Sequence, residues 1–190
     1  SGGINQVGDV ADLTVNGGKW TLSGPTSRIS DDVTVTGAGV ELNVDAATLL
    51  QARDDFTVTA GAILNLGGTG VLSFNIATLS ADASLRATNG GTINLGGNNA
   101  IVVTEFDGLR IGVDAGGAVG VLNMGAFNQT VNEFILGNRN LDREGVVNGT
   151  GTLTVTGNLD VYDGTSYANL ASSGTTAFEK LGAETVTLFG

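Results

Sequence analysis

Short runs of alternating apolar and polar residues make up most of this chain. Clear examples are Leu13–Asn16, Val33–Thr36 and Phe56–Thr59, and Gly, Asn or Asp residues stand between such runs. Alternation with a period of two puts successive side chains on opposite faces of a β-strand, whereas an amphipathic helix requires a period of about 3.6 residues. The pattern therefore predicts an all-β chain built from many short strands.

These runs recur at a nearly constant spacing. Val15, Val35 and Val58 hold equivalent positions in three successive units that align without gaps. Fainter copies follow at Leu79, Val119–Met124 and Leu153–Val161. One unit of two short strands cannot bury its own apolar face, but stacked units pair their backbones about 4.8 Å apart. The spacing predicts a parallel β-helix, a solenoid with coils of about 20–23 residues.

The same alignment assigns side chains to the inside or the outside. We expect the three valines to stack in one inward ladder, with the intervening threonines facing solvent. Trp20 aligns with Val40 and Ile63, and is therefore expected to lie inside rather than on the surface. An antiparallel β-sandwich also uses short alternating strands and remains the structural alternative, although it needs no fixed period.

Residues 1–190 are expected to form a single β-helix segment cut from a longer repeat protein. The chain begins at Ser1 without a Met and ends in the alternating, apolar run Val186–Phe189. An apolar open end predicts that flanking repeats, or another copy stacked end to end, cover it. Residues 162–183 interrupt the alternation and are expected to form an inserted loop or a short helix.

Several short words in the chain resemble the passenger-associated repeats of bacterial autotransporters. The words are Asn148–Gly157 (NGTGTLTVTG), Asn128–Phe134 (NQTVNEF) and Gly90–Gly97 (GGTINLGG), and the resemblance covers most of residues 10–165. It implies a right-handed parallel β-helix that is exported to the bacterial cell surface or secreted. The chain departs from that family because it carries no membrane barrel and no cleavage region, so export through a pore of its own is not implied.

Composition narrows the chemistry that is available. The absence of Cys and His excludes disulfides, thiolate nucleophiles and His-dependent catalysis. A net charge of −11 repels phosphate backbones and anionic lipid, and no apolar run is long enough to span a membrane. Gly67–Gly70 lacks the following lysine of a phosphate-binding loop. We therefore predict no enzyme activity, catalytic residue, cofactor, metal, nucleic-acid partner or membrane insertion for this segment.

The densest acidic positions are two aspartate pairs. Asp31-Asp32 and Asp54-Asp55 precede equivalent strands of neighbouring units, so stacking would bring them within about 5 Å of each other. Four carboxylates that close repel one another unless they are solvated or bridged by a hard cation such as Ca²⁺. Arg28 and Arg53 lie just upstream and offer a corner salt-bridge network instead. We predict the salt-bridge arrangement, with calcium binding as the alternative.

The expected function is that of a non-catalytic, extracellular structural or adhesive module, with a host or matrix surface as its ligand. The alternative is a carbohydrate-binding or polysaccharide-cleaving β-helix. Cleavage requires two opposed carboxylates, or Ca²⁺ ligands with an Arg or Lys, in a groove, and aromatic rings can stack on sugars. Candidate residues for that alternative are Asp107, Asp114, Asp160, Trp20, Tyr162 and Tyr167. Asp lining a groove beside Arg and aromatic residues would favour the alternative, whereas flat Thr and Asn faces would favour the structural role.

Overall fold

A computed structural model describes most of the chain. The described residues are 2–4, 12–23, 26–28, 32–45, 48–52, 54–67, 71–74, 84–102, 108–112, 118–138, 144–173, 178–180 and 186–188. They form 24 β-strands and no helix. Accordingly, this part of the chain contains no helical segment with the length and apolar character needed to cross a membrane.

The strands are short and evenly distributed. In chain order they are β1 (Gly2–Ile4), β2 (Leu13–Val15), β3 (Lys19–Leu22), β4 (Thr26–Arg28), β5 (Val33–Thr36), β6 (Glu41–Val44), β7 (Leu49–Ala52), β8 (Phe56–Thr59), β9 (Ile63–Leu66), β10 (Val71–Phe74), β11 (Leu85–Ala87), β12 (Thr92–Leu95), β13 (Ile101–Val102), β14 (Leu109–Ile111), β15 (Gly120–Gly125), β16 (Gln129–Val131), β17 (Phe134–Leu136), β18 (Gly145–Gly149), β19 (Thr152–Val155), β20 (Leu159–Val161), β21 (Gly164–Ser166), β22 (Asn169–Ser172), β23 (Phe178–Lys180) and β24 (Val186–Leu188).

Every ladder among these strands is parallel, and the strands are stacked in sheets. Sheet A has nine strands (β1-β3-β6-β9-β12-β15-β18-β21-β24) and sheet B has eight (β2-β5-β8-β11-β14-β17-β20-β23). The remaining strands form sheet C (β4-β7-β10-β13) and sheet D (β16-β19-β22). From β2 onward the chain returns to the same sheet or its continuation at every third strand, as a parallel β-helix or solenoid requires. The parallel ladders disagree with the antiparallel sandwich.

Each structural repeat therefore holds three strands rather than the two expected from the sequence. The additional strand belongs to sheet C or sheet D. Leu153–Val155, which the sequence alignment places in the first strand of a repeat, lies in sheet D and pairs with β16 and β22. The true copy of the first strand is Leu159–Val161, which belongs to sheet B.

The predicted inward ladder of valines is confirmed. Val15 pairs with Val35 and Val35 pairs with Val58, and their exposed fractions are 4%, 0% and 0%. The ladder continues through Ala87, Ile111, Leu136 and Val161. Because successive side chains of a strand point to opposite faces, the intervening threonines lie outside and the aliphatic residues fill the space between the sheets.

The predicted repeat length holds only near the beginning of the chain. Val58 pairs with Ala87, which makes the next repeat longer than predicted, so the fourth copy does not begin at Leu79, a residue outside the described part. Further along, Phe134 pairs with Leu159 and Leu159 with Phe178, so the length changes again between two consecutive repeats. Strand pairing constrains only the three strands of a repeat, and the connections between them can therefore differ in length.

A variable corner also explains an error in the alignment of Trp20. In the structure Trp20 pairs with Leu42, and Leu42 pairs with Leu64, whereas the sequence aligned Trp20 with Val40 and Ile63. The corner between sheet B and sheet A differs in length from repeat to repeat, so an alignment without gaps slips there. Trp20 nevertheless packs partly buried against the core, as expected, whereas Ile63 is on the outer side of its strand.

Residues 162–183 contain strands where the sequence predicts a loop or a short helix. Strands β21, β22 and β23 lie in this segment, and each is paired in parallel with the preceding strand of its sheet. Residues 174–177 and 181–183 lie outside the described part. The segment lacks alternation in its sequence because small residues such as Gly164 and Ser166, both buried, occupy inward positions.

Candidate functional site

An unbroken row of asparagine amides runs along the outer face of sheet A. The row, called the asparagine ladder below, consists of Asn43, Asn65, Asn94, Asn123 and Asn148. Each Nδ2 donates to the Oδ1 of the preceding asparagine, at 2.8, 2.7, 2.7 and 2.9 Å. At the beginning of the row, Asn43 Nδ2 donates to the carbonyl oxygen of Trp20 at 3.2 Å.

The ladder arises from a position shared by five successive strands. In β6, β9 and β12 the asparagine stands between two buried aliphatic residues, so it points outward. Parallel, in-register pairing then places equivalent side chains one strand spacing apart, about 4.8 Å, where one amide reaches the next. Each bond adds about 0.5–1.5 kcal/mol, and bonds aligned in a row polarise one another.

The rest of this outer face carries little charge. Beside the ladder runs a second column of half-buried side chains: Ile63, Thr92, Val121, Val146 and Thr165. The charged pair of Lys19 and Glu41, joined at 2.6 Å, lies at the beginning of the same column. Sheet A therefore presents a regular face of amide, hydroxyl and aliphatic groups over five repeats.

Two of the four acidic residues predicted at the corner before sheet B, Asp32 and Asp55, form a hydrogen-bonded column. Asp32 Oδ1 accepts the backbone N–H of Asp55 at 3.2 Å. In the next repeat, Asp55 Oδ1 accepts the backbone N–H of Ser84 at 3.1 Å and its hydroxyl at 2.9 Å. Arg86 reaches Asp55 Oδ2 at 2.9 Å, and its Nε donates to Ser84 Oγ at 2.7 Å.

Arg86, which neutralises Asp55, is an arginine that the sequence did not predict for this corner. Arg53 and Asp31 lie outside the described residues, as does the side chain of Arg28. Arg86 reaches Asp55 because it occupies the first outward position of the strand after Ser84, beside the corner column. Among the residues described, no group of three or more Asp, Glu, Cys or His side chains lies close enough together to hold a metal ion.

The strands of the third face form two separate sheets, C and D, with a seam between them. Sheet C ends at β13 and sheet D begins at β16; these two strands lie against each other without forming a ladder. The amide of Gln129, fully buried, bridges this seam: Oε1 accepts the N–H of Ile101 at 3.1 Å. Its Nε2 donates to the carbonyl oxygens of Ile101 and Thr130 at 2.6 and 2.8 Å. A side chain thus supplies bonds that a strand would otherwise make.

Neighbouring asparagines complete the seam. Asn99 Oδ1 accepts the backbone N–H of Thr130 at 3.0 Å, and Asn98 Oδ1 accepts that of Asn128 at 2.7 Å. Asn128 Oδ1 in turn accepts the N–H of Thr152 at 2.9 Å, which continues the connection into the next repeat. Residues 128–130 belong to one of the words that carry the resemblance noted above, so this word has a structural role at the seam.

A groove opens over the seam on the outer side of the protein. It has a volume of about 360 Å³ and is lined by Asn99, Ile101, Val102, Thr130, Val131, Asn132 and Thr156. Ile101 and Val131 are almost fully buried and belong to the core, so the half-buried Val102 supplies the aliphatic surface of the groove. Asn99, Thr130 and Thr156 are exposed at the rim, and none of the seven lining residues is charged.

The residues proposed for carbohydrate chemistry are not brought together. Asp160 lies on the outer face of sheet B and Tyr162 follows that strand, whereas Trp20 packs against the core. Tyr167 is 52% exposed and follows β21 of sheet A. Asp107 and Asp114 are outside the described residues.

Sequence reasoning missed the asparagine ladder, Gln129 and the groove. The ladder had a detectable signal, because an asparagine follows Leu, Ile or Val in each of the segments LN, IN and VN of sheet A. Apart from the short word that contains it, Gln129 carried no such signal in the sequence. A glutamine is normally expected on the surface, and nothing in the pattern indicated that this one is buried. Compared with models of known families, with curated proteins and with solved structures, the chain shows no significant match.

Proposed function

We propose that this chain is a non-catalytic structural module, a right-handed parallel β-helix that forms a rigid spacer outside a bacterial cell. Its role would be to extend, display or connect other parts of a surface or matrix protein. Flanking repeats or further copies stacked end to end would continue the rod, and a host or matrix surface would be its ligand.

The observation that carries this proposal is the asparagine ladder. Five repeats are joined on one outer face by four amide–amide bonds, in addition to the backbone ladder beneath them. Side chains that bond along the stacking direction oppose bending and separation of neighbouring repeats. A face of this kind suits a load-bearing or spacing role, because its polar groups are used to hold the protein together.

The resemblance to autotransporter passenger repeats supports an exported, surface-exposed setting. The words that resemble autotransporter passenger repeats supply Asn94 and Asn148 of the ladder and Gln129 of the seam. They therefore coincide with the side chains that join one repeat to the next. The chain has no cysteine, which suits export in an unfolded state because no disulfide has to form during folding.

Pulling on the full chain tests the proposal. With DNA handles on the two ends in an optical trap, we expect the protein to keep its length up to a threshold force and then unfold in abrupt steps. Asn94→Ala should lower that threshold, whereas Thr92→Ala, on the same outer face of the same strand, should leave it unchanged. Gradual extension at low force would contradict the rigid-spacer role.

The non-catalytic part of the proposal has its own test. Incubated with a panel of neutral and acidic polysaccharides, the chain should release no new reducing ends and no unsaturated sugar products. Reproducible turnover that tracks the purified protein would contradict this part and favour the polysaccharide-cleaving alternative.

A further inference from the structure

We propose that the groove over the seam binds a neutral saccharide unit. The groove lies on the third face, away from the asparagine ladder, so this inference goes beyond the spacer role and does not depend on it. It would give the module a ligand-binding site on its side.

The shape of the groove is a consequence of the seam. Strands β13 and β16 form no backbone ladder with each other, and Gln129 fills the inner side of the gap. The outer side remains open and has a volume of about 360 Å³. This volume falls within the range of about 300–1,000 Å³ that is usual for small-molecule sites.

Three polar groups at the groove are available to a ligand. Asn99 and Asn132 each use Oδ1 within the protein, to the N–H of Thr130 and the hydroxyl of Thr156 respectively. For the Nδ2 groups of both asparagines and for the hydroxyl of Thr130, no hydrogen-bond partner exists among the residues that the structure describes. Two amide donors and a hydroxyl thus lie around the half-buried side chain of Val102.

This combination matches the chemistry of a sugar ring. A pyranose presents hydroxyl groups at its rim, which accept bonds from amide N–H groups and exchange bonds with a hydroxyl. Its C–H faces are apolar and can lie against the half-buried side chain of Val102.

Charge selects the neutral class of saccharide. The lining contains no Lys or Arg that could bind a carboxylate or sulfate, and the whole chain carries a net charge of −11. An acidic saccharide would therefore be repelled without any local compensation. The lining has no carboxylate either, so a cation or an amino sugar with a free amine would find no ion-pair partner in it.

Titration of the isotopically labelled full chain, followed by amide NMR, tests the site. The probes are neutral tetrasaccharides of glucose, mannose, galactose and N-acetylglucosamine, with trigalacturonate as the acidic comparison. We expect at least one neutral probe to shift the amides of Val102, Thr130 and Asn132 in a saturable way, and trigalacturonate to shift none of them. Absence of shifts with every neutral probe, shifts confined to other faces, or equal binding of trigalacturonate would overturn the inference.

A blocking variant supplies the matched control. Thr130→Phe adds a ring at an exposed rim position and should weaken binding of the responsive probe about tenfold or more. Thr57→Phe makes the same change on the outer face of sheet B and should leave binding unchanged. Binding that survives Thr130→Phe would overturn the site. Since neither variant touches the asparagine ladder, the threshold force in the optical trap should stay the same, which separates a failure of this site from a failure of the spacer role.

Discussion

Neighbouring repeats are joined in two different ways in this protein. Sheets A and B are unbroken, whereas the third face is divided by a seam between sheets C and D. In sheets A and B every repeat is joined to the next by backbone pairing, and in sheet A asparagine amides repeat the connection outside. On the third face, pairing stops between β13 and β16, and Gln129 makes the missing bonds.

The difference shows what a stack of unequal repeats requires. Each repeat contacts only its neighbours, so stability is close to a sum of the junctions between repeats. Where strands pair in register, identical side chains such as the asparagines add hydrogen bonds to those of the backbone without any change in the path of the chain. Where the strands of neighbouring repeats form no ladder, a buried amide must satisfy the backbone groups, because leaving them without partners costs about 1–3 kcal/mol each. The open space left outside the amide becomes a groove.

The largest expected effect comes from damage to an unbroken face. Val58→Asp would bury a charge between Val35 and Ala87, where nothing compensates for it, and should lower the free energy of unfolding by about 3–5 kcal/mol. Urea denaturation followed by far-UV circular dichroism measures the change. Thr57→Asp, on the outer side of the same strand, should cost no more than about 0.5 kcal/mol. Equal effects of the two variants would contradict the inward assignment of Val58.

The seam should be the next most sensitive place. Gln129→Leu removes the bonds to Ile101 and to the carbonyl oxygen of Thr130 and should lower the free energy of unfolding by about 3 kcal/mol. Hydrogen exchange should accelerate at the Ile101 amide and remain slow within sheet A. Thr130→Val, which keeps the backbone bonds, serves as the control. If Gln129→Leu leaves exchange at Ile101 unchanged, the amide does not hold the seam together.

A smaller effect is expected from a single break in the asparagine ladder. Asn94→Ala removes the amide bonds to Asn65 and Asn123 but leaves the backbone ladder intact, so we expect a loss of about 1–2 kcal/mol. Thr92→Ala, on the same outer face of β12, should change the free energy of unfolding by less than half of that. A loss for Asn94→Ala as large as that for Gln129→Leu would mean that the unbroken face depends on its side chains as much as the seam does.

The corner column before sheet B should contribute least among the polar contacts. Both ends of the Arg86–Asp55 pair are partly exposed, with side-chain exposures of 22% and 28%, so solvent screens their attraction. Arg86→Ala should lower the free energy of unfolding by about 0.5–1 kcal/mol, and high salt should reduce the difference between variant and wild type. A difference that grows with salt would contradict an electrostatic origin.

No effect at all is expected from metal removal. Asp32 and Asp55 already accept hydrogen bonds from the following repeat, and Arg86 neutralises Asp55. A chelator should leave the midpoint of thermal unfolding where it is. A fall of many degrees that Ca²⁺ reverses would favour the calcium alternative for the aspartate pairs.

Prediction from sequence succeeded where a property is local to one strand. The alternation in Val33–Thr36 and Phe56–Thr59 identified strands and placed Val35 and Val58 inside, because side-chain direction in a strand follows from the period of two alone. It failed for the register of Trp20 and for the start of the fourth repeat, where the length of a corner decides which residues become neighbours.

By itself, then, the sequence determined the strand character of the chain, the inward side of its first repeats, and the shortage of residues for His or Cys chemistry. The tertiary structure decided that three strands make a repeat, that asparagines from repeats of unequal length meet in one row, and that Gln129 is buried at a seam. The physical reason is that contacts between repeats depend on the length and path of the corners. Alternation within a strand carries no information about either, so neither the ladder nor the groove could be located until the repeats were stacked.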